Sequence, residues 1–347
     1  MQLSSLGWND HFGSCFAPYR DQGFYPGRIA GQERNRYLVF GEFGAASGEV
    51  TGRFRFATNS VADFPVVGDW VAASVDGGDT AAIHAVLSRV TVFSRKAAGR
   101  VAEEQALAAN VDTAFIVTGL DHEFNPRRIE RYAVTAWDSG ATPVLVLNKT
   151  DVCLDVEAAV HRASDAAPGV AVVPVSARDG SGLDSLAAYL SPGITVVLLG
   201  SSGVGKSSLV NRLAGTDMQA VAEVRQDDSR GRHTTTSRDL IVLPDGALLI
   251  DTPGLRELQL MADDEGVDAA FDDVARLADG CRFADCRHDH EPGCAVKRAV
   301  EAGEIHPSRL ASYHKLQREA RRTAQRMRLR ESRLAKRQGR LPGQAHS

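Results

Sequence analysis

The pattern of apolar and polar positions divides the chain into three regions. Between residues 24 and 94, short runs that alternate apolar with polar residues are separated by Gly, Asn and Asp, which favour turns. The predicted strands are Tyr37–Phe40, Val50–Phe56, Asp69–Ala73, Ala81–Leu87 and Val90–Phe93. Five short strands in so short a region predict a small closed barrel of the OB type.

From about Arg95 the pattern changes to apolar strands that alternate with amphipathic helices. Helical periodicity marks Pro126–Asp138 and Val156–Ala163. The predicted strands include Thr113–Thr118, Pro143–Leu147, Ile194–Leu199 and Ala247–Ile250. This alternation predicts a mostly parallel sheet with helices on both faces and a ligand at the C-terminal ends of the strands.

Beyond Asp263 the pattern is helical, with a long helix expected from Pro307. We therefore predict a multidomain chain of three parts. Residues 1–96 contain the all-β OB-type barrel, residues 97–262 form an α/β domain, and residues 263–347 form a helical domain with a basic C-terminal tail.

A phosphate-binding pattern, G-x-x-x-x-G-K-S, occupies residues 200–207 between a predicted strand and a predicted helix. Glycine allows the backbone to wrap a phosphate with its N–H groups at a helix N-terminus. Lys206 is predicted to reach the β- and γ-phosphates and to take part in catalysis, and the Ser207 hydroxyl is predicted to bind Mg²⁺. The nucleotide-binding residues predicted here are Gly200, Ser201, Ser202, Gly203, Val204, Gly205, Lys206, Ser207 and Ser208.

A guanine-recognition pattern, N-K-x-D, occupies residues 148–151 at the end of another predicted strand. The Asp151 carboxylate can accept from both N1–H and the exocyclic amine of guanine, which adenine does not offer in that geometry. Asn148 is expected to tie the neighbouring loops together and to touch the base, and a Ser-Ala pair further along is expected to contact the guanine O6. The predicted guanine-site residues are Asn148, Lys149, Thr150, Asp151, Ser176 and Ala177.

The pattern D-x-x-G at residues 251–254 predicts a second part of the metal and phosphate site. Asp251 is expected to hold Mg²⁺, and the Gly254 amide to contact the γ-phosphate. A predicted switch loop, residues 231–236, supplies a further Mg²⁺ ligand, either Thr234 or Thr235. The motif order is base, phosphate, switches, whereas ordinary GTPases have phosphate, switches, base. The chain is therefore predicted to be a circularly permuted P-loop GTPase.

Leu255 follows the D-x-x-G motif, where many GTPases have a glutamine that orients the attacking water. A leucine cannot orient water, so intrinsic hydrolysis is expected to be slow. The best candidate for the missing group is His233 in the switch loop, because a neutral imidazole can orient water or accept its proton. The same loop could equally contact rRNA.

A metal-ligand cluster is predicted from three cysteines and a histidine between residues 281 and 294. Thiolates with one imidazole are the usual ligands of a tetrahedral structural zinc. The segment is too polar for the alternative, free thiols in an apolar core. The cysteines are Cys281, Cys286 and Cys294, and spacing alone does not choose between His288 and His290 as the fourth ligand.

Charge and composition indicate RNA as a partner and the cytoplasm as the location. The net charge is −4, but residues 315–347 carry 11 Lys and Arg against two Glu, which leaves −13 on residues 1–314. An Arg stripe on the last helix would give salt-sensitive binding to phosphates, although a solvated tail is the alternative. No apolar run reaches membrane-spanning length, the N-terminus does not resemble a signal peptide, and 5 cysteines with a nucleotide site favour a reducing compartment. We expect a monomer with no membrane partner.

In its motif order the chain resembles the RsgA (YjeQ) family of small-ribosomal-subunit-biogenesis GTPases. The further matching segments are residues 65–71, 105–112, 231–236 and 281–294. The resemblance implies an OB barrel, a permuted GTPase domain and a zinc domain, with His288 as the zinc ligand. It also implies slow GTP hydrolysis that the small subunit stimulates.

The predicted function is a ribosome-associated GTPase that binds the small ribosomal subunit and its rRNA and hydrolyses GTP during late small-subunit maturation. It would use one structural zinc per chain and Mg²⁺ with GTP, and release GDP. One alternative is a nucleotide-gated RNA-binding module in which hydrolysis is incidental. A third possibility is a P-loop ATPase or kinase with a chance N-K-x-D.

Overall fold

The computed structural model of the chain describes residues 1–33, 36–58, 60–77, 79–96, 104–121, 124–215, 238–251, 271–283, 286–307 and 309–318. The chain divides into two units, Met1–Leu260 and Met261–Ser347. The three domain boundaries predicted above remain predictions.

A closed β-barrel forms the N-terminal part of the first unit. Its strands are β1 (Tyr25–Glu33), β2 (Arg36–Gly41), β3 (Gly44–Val50), β4 (Trp70–Asp76) and β5 (Thr80–Val86). The strands pair in the order β1-β2-β3-β5-β4, and β4 pairs again with β1, which closes the barrel. Only the β3–β5 pairing is parallel among these five. Inward side chains such as Ile29, Val39, Val71 and Ile83 fill the interior. The predicted N-terminal barrel is confirmed.

Two predicted strands of this region were assigned wrongly. Val50–Phe56 was expected to be a strand, but a short helix α2 (Gly52–Ala57) occupies most of it. The Thr51 side chain accepts a hydrogen bond from the Phe54 N–H at 3.2 Å and so caps this helix. The alternation of Arg and Phe in the segment imitates a strand because both faces of such a short surface helix remain largely exposed.

The other error concerns Val90–Phe93, which was expected to complete the barrel. It overlaps strand β6 (Val92–Lys96), which pairs instead with β7 (Glu104–Ala109) in a separate two-stranded sheet. The pattern therefore missed two barrel strands, β3, which the expected strand touches only at Val50, and β1, whose apolar residues are interrupted by Gly27, Arg28 and Gly31.

An N-terminal helix covers one side of the barrel. Helix α1 (Asp10–Arg20) is capped by Asn9, whose side chain accepts from the Phe12 N–H at 3.2 Å. Its apolar face packs in a cluster with the barrel residues Trp70 and Leu87.

The nucleotide-site sheet has five parallel strands and one antiparallel strand. These are β8 (Thr113–Gly119), β9 (Thr142–Asn148), β10 (Ala171–Pro174), β11 (Thr195–Leu199), β12 (Arg238–Val242) and β13 (Leu248–Asp251). The order is β10-β9-β8-β11-β13-β12, with β12 antiparallel to β13. Parallel strands buried on both faces account for the continuous apolar runs in the sequence.

Helices cover both faces of this sheet. On one face, α3 (Pro126–Asp138) and α4 (Val156–Ala166) contribute Ile129, Ala133 and Ala163 to one apolar cluster. On the other face, α5 (Lys206–Ala214) contributes Leu209 to a second cluster with Phe115. The predicted α/β architecture, with α3 over the predicted residues, is confirmed.

The barrel and the nucleotide-site sheet are joined by backbone pairing and by one buried arginine. Strand β1 pairs with β12 at Gly31 and Asp239, so that the two sheets become continuous. Arg28 is only 2% exposed and donates to the carbonyl of Leu6 as well as to three other acceptors. The three are Gly68 O at 3.2 Å, Asn110 O at 2.9 Å and Thr195 Oγ1 at 2.9 Å. Burial lowers the pKa of Arg28 to about 10, which leaves the guanidinium charged at neutral pH.

The second unit contains three short helices in its described part. These are α6 (Asp272–Ala278), α7 (Ala295–Glu301) and the helical residues 309–318, here α8. Phe271 packs against Tyr313 with ring centroids 5.5 Å apart, and Arg309 stacks on Phe271 and pairs with Asp273 at 2.9 Å. The predicted helix after Pro307 is confirmed for residues 309–318, while its Arg-rich continuation lies outside the described residues. No helix in the described part of the chain has the length and apolar character needed to cross a bilayer.

Candidate functional site

The phosphate-binding loop lies between β11 and α5, at the C-terminal edge of the sheet. Gly200, Gly203 and Gly205 have φ values of 143°, 85° and 95°, which side chains with a Cβ rarely adopt. A Cβ at Gly205 would also collide with the Asn148 side chain. The N-terminus of α5 has no side-chain cap, so its first N–H groups are available to an anion.

Lys206 is the first residue of α5 and is 8% exposed. Its Nζ donates to the carbonyls of Gly200 at 2.7 Å and Ser201 at 2.5 Å, so the ammonium lies across the loop. This position places a cation at the centre of the loop that the sequence assigns to phosphates. Within the same loop Val204 is buried, whereas Ser202, Gly203, Ser207 and Ser208 are exposed.

Asn148, the last residue of β9, connects the two predicted parts of the nucleotide site. Its Nδ2 donates to Val204 O in the phosphate loop at 2.9 Å, and its Oδ1 accepts from the Ala177 N–H at 2.9 Å. The side chain is 2% exposed, and both amide atoms that it offers are used. Asn148 therefore ties the loops as the sequence suggested, and its contact with the base stays a prediction.

Asp151 and Ser176 lie together beside Asn148. Asp151 Oδ1 accepts from Ser176 Oγ at 2.9 Å, and Asp151 Oδ2 is 3.6 Å from an Nη of the largely exposed Arg178. The Asp151 side chain is 16% exposed, which leaves one carboxylate oxygen within reach of solvent or a ligand. Thr150 N–H donates to Val175 O at 3.2 Å, which holds this loop against the Ser-Ala segment.

Lys149 turns the chain between Asn148 and Asp151 with a φ of 68°. Its Nζ pairs with Asp121 Oδ2 at 2.6 Å, with 29% and 19% of the two side chains exposed. The pair connects the loop after β9 with the loop after β8. Lys149 thus has a structural partner at the rim of the predicted guanine site.

Two arginines near the site were missed by the sequence patterns. Arg128, on the first turn of α3, donates to Ser201 Oγ in the phosphate loop at 2.7 Å. Arg212 on α5 donates to the carbonyls of Ala177 at 3.1 Å and Arg178 at 2.6 Å. Both contacts join residues more than 30 positions apart, and no local motif announces them.

The predicted Mg²⁺ ligands are only partly described. Asp251 ends β13, which is paired in parallel with β11, so Asp251 lies at the same sheet edge as the phosphate loop. Ser207 is exposed on the first turn of α5. A hydroxyl and a carboxylate at one edge fit the oxygen donors that Mg²⁺ requires. His233, Thr234, Thr235, Gly254 and Leu255 lie outside the described residues.

The second unit holds a compact group of metal-ligand atoms from Cys281, Cys286, His288 and Cys294, all within 4.8 Å of one another. His288 Nδ1 is 3.6 Å from Cys281 Sγ and 3.4 Å from Cys294 Sγ, and the two sulfur atoms are 3.8 Å apart. A tetrahedral zinc, with bonds of about 2.3 Å to sulfur and 2.0–2.1 Å to nitrogen, would separate such ligands by roughly 3.5–3.8 Å. The donor set and spacing fit zinc.

Backbone N–H groups favour the thiolate of Cys281, whereas burial raises the pKa of the Cys286 thiol to about 11. Burial raises the pKa of Cys281, but N–H groups of Val296 and Ala295 more than offset it, and the net shift is downward. The carboxylate of Glu291 accepts from the N–H groups of residues 287, 289 and 290, which shapes the turn that carries His288. His290 is exposed and pairs with Asp289 at 3.4 Å, outside the cluster. The geometry therefore brings His288 rather than His290 to the three cysteines.

The chain is similar to known proteins both in sequence and in structure. The model of the RsgA GTPase family matches residues 86–261. A protein of Opitutus terrae named small ribosomal subunit biogenesis GTPase RsgA is 50% identical over 332 residues, which cover 92% of this chain and 90% of that protein. A protein of Lactiplantibacillus plantarum named small ribosomal subunit biogenesis GTPase RsgA 2 is 48% identical over 300 residues, 86% of this chain and 84% of that protein.

Two solved structures have the same arrangement over most of the chain. YjeQ from Thermotoga maritima is similar with a TM-score of 0.65 and 27% identity, covering 86% of this chain and 98% of that one. YloQ, described as a circularly permuted GTPase, is similar with a TM-score of 0.64 and 25% identity, covering 86% of this chain and 95% of that one.

Proposed function

The chain belongs to the RsgA GTPase family, and from that membership we propose that it is a ribosome-associated GTPase. It binds the small ribosomal subunit and hydrolyses GTP during late small-subunit maturation, as the names of its relatives indicate for those proteins. The observation that carries the proposal is the hydrogen bonding of the Asn148 side chain. It links Val204, in the loop predicted to hold the phosphates, with Ala177, in the segment predicted to contact the base.

Different residues of the site bind the phosphates and the base. The loop amides and Lys206 hold the phosphates, and Lys206 counters charge that develops on them during transfer. Asp151 accepts from the guanine N1–H and amine, and Ser176 orients that carboxylate through the bond between Oγ and Oδ1. The backbone of Ala177, fixed by Asn148 and Arg212, lies beside the guanine O6.

Hydrolysis requires groups on the sheet edge and in the switch loop. Mg²⁺, held by Ser207, Asp251 and either Thr234 or Thr235, would neutralise charge on the β- and γ-phosphate oxygens. Gly254 would contact the γ-phosphate. Because Leu255 cannot orient water, His233 would do so once the small subunit has fixed the switch loop. Intrinsic turnover is therefore slow and stimulated turnover is fast.

Zinc, held by Cys281, Cys286, His288 and Cys294, has a structural role because four protein ligands leave no open position for catalysis. One zinc ion per chain is expected. The protein acts as a cytoplasmic monomer, with rRNA contacted by the barrel and by the Arg-rich C-terminal segment.

GTP turnover measured with purified small subunits, with large subunits and with neither tests the proposal. We expect stimulation by small subunits alone, and loss of most of that stimulation in His233→Ala with GTP affinity retained. Turnover that no subunit stimulates would favour the alternative, a nucleotide-gated RNA-binding module. Full stimulated turnover in His233→Ala would assign the water-orienting group to the ribosome.

A further inference from the structure

A cavity of about 510 Å³ opens beside helix α2 at the barrel. This volume is within the usual range for ligand sites, roughly 300–1,000 Å³. Its walls come from α2 and the segment that follows it, from the second half of β5, and from Arg89. The lining includes Arg53, Phe54, Asp63, His84, Leu87 and Arg89.

The cavity differs from the surface that OB barrels usually use. That surface consists of strands β2 and β3 with the β1–β2 and β4–β5 loops. Among the described residues that line the cavity, none belongs to those strands or loops. The cavity is therefore a separate feature of the barrel.

The inner wall of the cavity is held in one shape by buried polar contacts. Arg89 makes a two-point contact with Asp69, with Nε–Oδ1 and Nη2–Oδ2 both 2.8 Å. It also donates to the carbonyls of Ala62 at 2.7 Å and Phe64 at 2.9 Å. Asp69 is fully buried, so this pairing orders the loop that faces α2.

The lining combines an apolar floor with a few polar groups. Phe54 and Leu87 supply apolar surface, and Asp63 is the one carboxylate among the described lining residues. His84 Nε2 lies 2.9 Å from Ser74 Oγ, and its ring lies 4.4 Å from that of Phe24. Burial and the nearby Arg53 lower the pKa of His84, which favours the neutral imidazole. A flat, apolar ligand with N–H donors for Asp63 matches these groups.

The outer face of α2 adds a stacking platform and positive charge. Phe56 is 94% exposed, the largest exposed fraction among the aromatic side chains of the described residues, so its ring is open to a stacking partner. Arg53 and Arg55, on the same short helix, are also exposed. Exposed aromatic rings beside guanidinium groups are how proteins bind single-stranded nucleic acid, by stacking bases and pairing phosphates.

We propose that the cavity and Phe56 bind a short segment of single-stranded RNA. One unpaired base enters the cavity, the next base stacks on Phe56, and Arg53 and Arg55 pair with the phosphates between them. The class of partner rests on the proposed function, and the site on the barrel is what the geometry adds.

The test measures binding of fluorescein-labelled A7 and U7 RNA to the full chain by fluorescence anisotropy at two salt concentrations. We expect the double variant Arg53→Ala/Phe56→Ala to bind about 5- to 150-fold more weakly, the range for losing one stacked base. The matched control is Arg36→Ala/Leu38→Ala on β2, which removes an exposed arginine and an exposed apolar side chain from the usual OB surface. The control should bind within about twofold of the unmodified protein. Arg53→Glu repeats the test without altering the apolar floor.

A larger loss of RNA affinity in the α2 variants than in the β2 variant supports the proposal. The proposal is overturned if RNA affinity falls only in the β2 variant, falls equally in the α2 and β2 variants, or falls in neither. Reduced small-subunit binding in the α2 variants with intact oligonucleotide binding also overturns it, because the surface would then contact a protein. Subunit-stimulated GTP turnover of the unmodified protein tests the proposed function separately, so failure of one is distinguishable from failure of the other.

Discussion

At the scale of single residues, the proposed base selectivity rests on one carboxylate, that of Asp151. Its Oδ1 is occupied by the Ser176 hydroxyl, and 16% of the side chain remains exposed for a ligand. In Asp151→Asn an amide N–H replaces one acceptor, and it opposes the guanine amine. We expect GTP affinity to fall roughly 100-fold and xanthosine triphosphate, whose O2 accepts, to bind better than GTP.

Competition of GTP and xanthosine triphosphate against a fluorescent GDP analogue measures this change. Asp155→Asn is the control, because Asp155 only caps α4 and asparagine caps a helix equally well. Unchanged GTP affinity in Asp151→Asn would remove this carboxylate from the base site.

Arg128 provides a second residue-scale prediction. Its bond to Ser201 Oγ holds the phosphate loop from the neighbouring helix α3, at 2.7 Å. A hydrogen bond with a charged donor contributes about 1.5–3 kcal/mol, and less where water has access. Because Arg128 is only partly buried, we expect Arg128→Ala to weaken GTP binding roughly 3- to 10-fold.

The neighbouring Arg127, which is exposed, supplies the control variant Arg127→Ala. Calorimetric titration with GTP and a double-mutant cycle with Ser201→Ala separate a specific bond from a general charge effect. Additive losses in the cycle would show that Arg128 acts independently of the loop hydroxyl.

Sequence reasoning yields predictions for this site where a function depends on residues close together in the chain. The glycines, Lys206 and Asp151 are recognisable because the backbone and base chemistry require those residue types at fixed spacings. Arg128, Arg212 and the partner of Lys149 are not recognisable, because helix packing alone brings them to the loops. An arginine on an amphipathic helix otherwise indicates only a solvated face.

At the scale of elements, the four predicted zinc ligands lie on a turn and at the start of helix α7. Cys294 is the N-cap of α7, and its Sγ accepts from the Lys297 N–H at 3.4 Å. Cys281 Sγ accepts from the Ala295 N–H at 3.3 Å. These bonds make the start of α7 depend on the thiolates, so zinc binding and folding of this element should be coupled.

Zinc removal should therefore unfold the described part of the second unit. We expect elemental analysis to find one zinc per chain in the unmodified protein and in His290→Ala, and substantially less in Cys286→Ser and His288→Ala. Amide hydrogen exchange should rise across α6 and α7 in the two ligand variants and stay unchanged in β8 and β11. Normal zinc content in His288→Ala would transfer the fourth ligand to another residue.

The barrel shows where element patterns mislead. Apolar alternation located β2, β4 and β5 but assigned α2 to a strand, because a six-residue surface helix has no buried stripe to reveal its period. Strand β1 was missed because its central arginine is buried by partners from distant segments. Local patterns predict elements well only when the burial of a residue follows from its neighbours in the sequence.

At the scale of the whole first unit, the join between barrel and nucleotide site is the main feature that motifs leave unexplained. Arg28 reaches from β1 to Thr195 at the start of β11, and β11 leads directly into the phosphate loop. Asn110 strengthens the join: its Nδ2 donates to Gly68 O at 3.0 Å and its Oδ1 accepts from the Val90 N–H at 2.9 Å. A Cβ at Gly68 would strike Ala109 O, so glycine is required there. The barrel is consequently fixed to the strand that leads into the predicted phosphate loop.

A fixed join predicts that nucleotide state and small-subunit affinity are coupled. Typical couplings give roughly a 5- to 150-fold affinity difference between two ligand states, and the effect must be reciprocal. We expect tighter small-subunit binding with a non-hydrolysable GTP analogue than with GDP, within this range. Thr195→Val removes one acceptor of the Arg28 guanidinium with little change in shape, at a cost of about 1–2 kcal/mol in stability.

If the Arg28–Thr195 bond transmits nucleotide state to the barrel, Thr195→Val should reduce the affinity ratio toward one while the protein remains folded. Thr113→Val is the matched control, since Thr113, on the adjacent parallel strand β8, is also buried and pairs with Val196 of β11. Small-subunit sedimentation with each nucleotide gives the ratios, and urea unfolding gives the stabilities. A ratio that survives in Thr195→Val despite the lower stability would make the join a purely structural one. An equal fall of the affinity ratio in Thr113→Val would instead show that the ratio falls because the sheet is generally less stable.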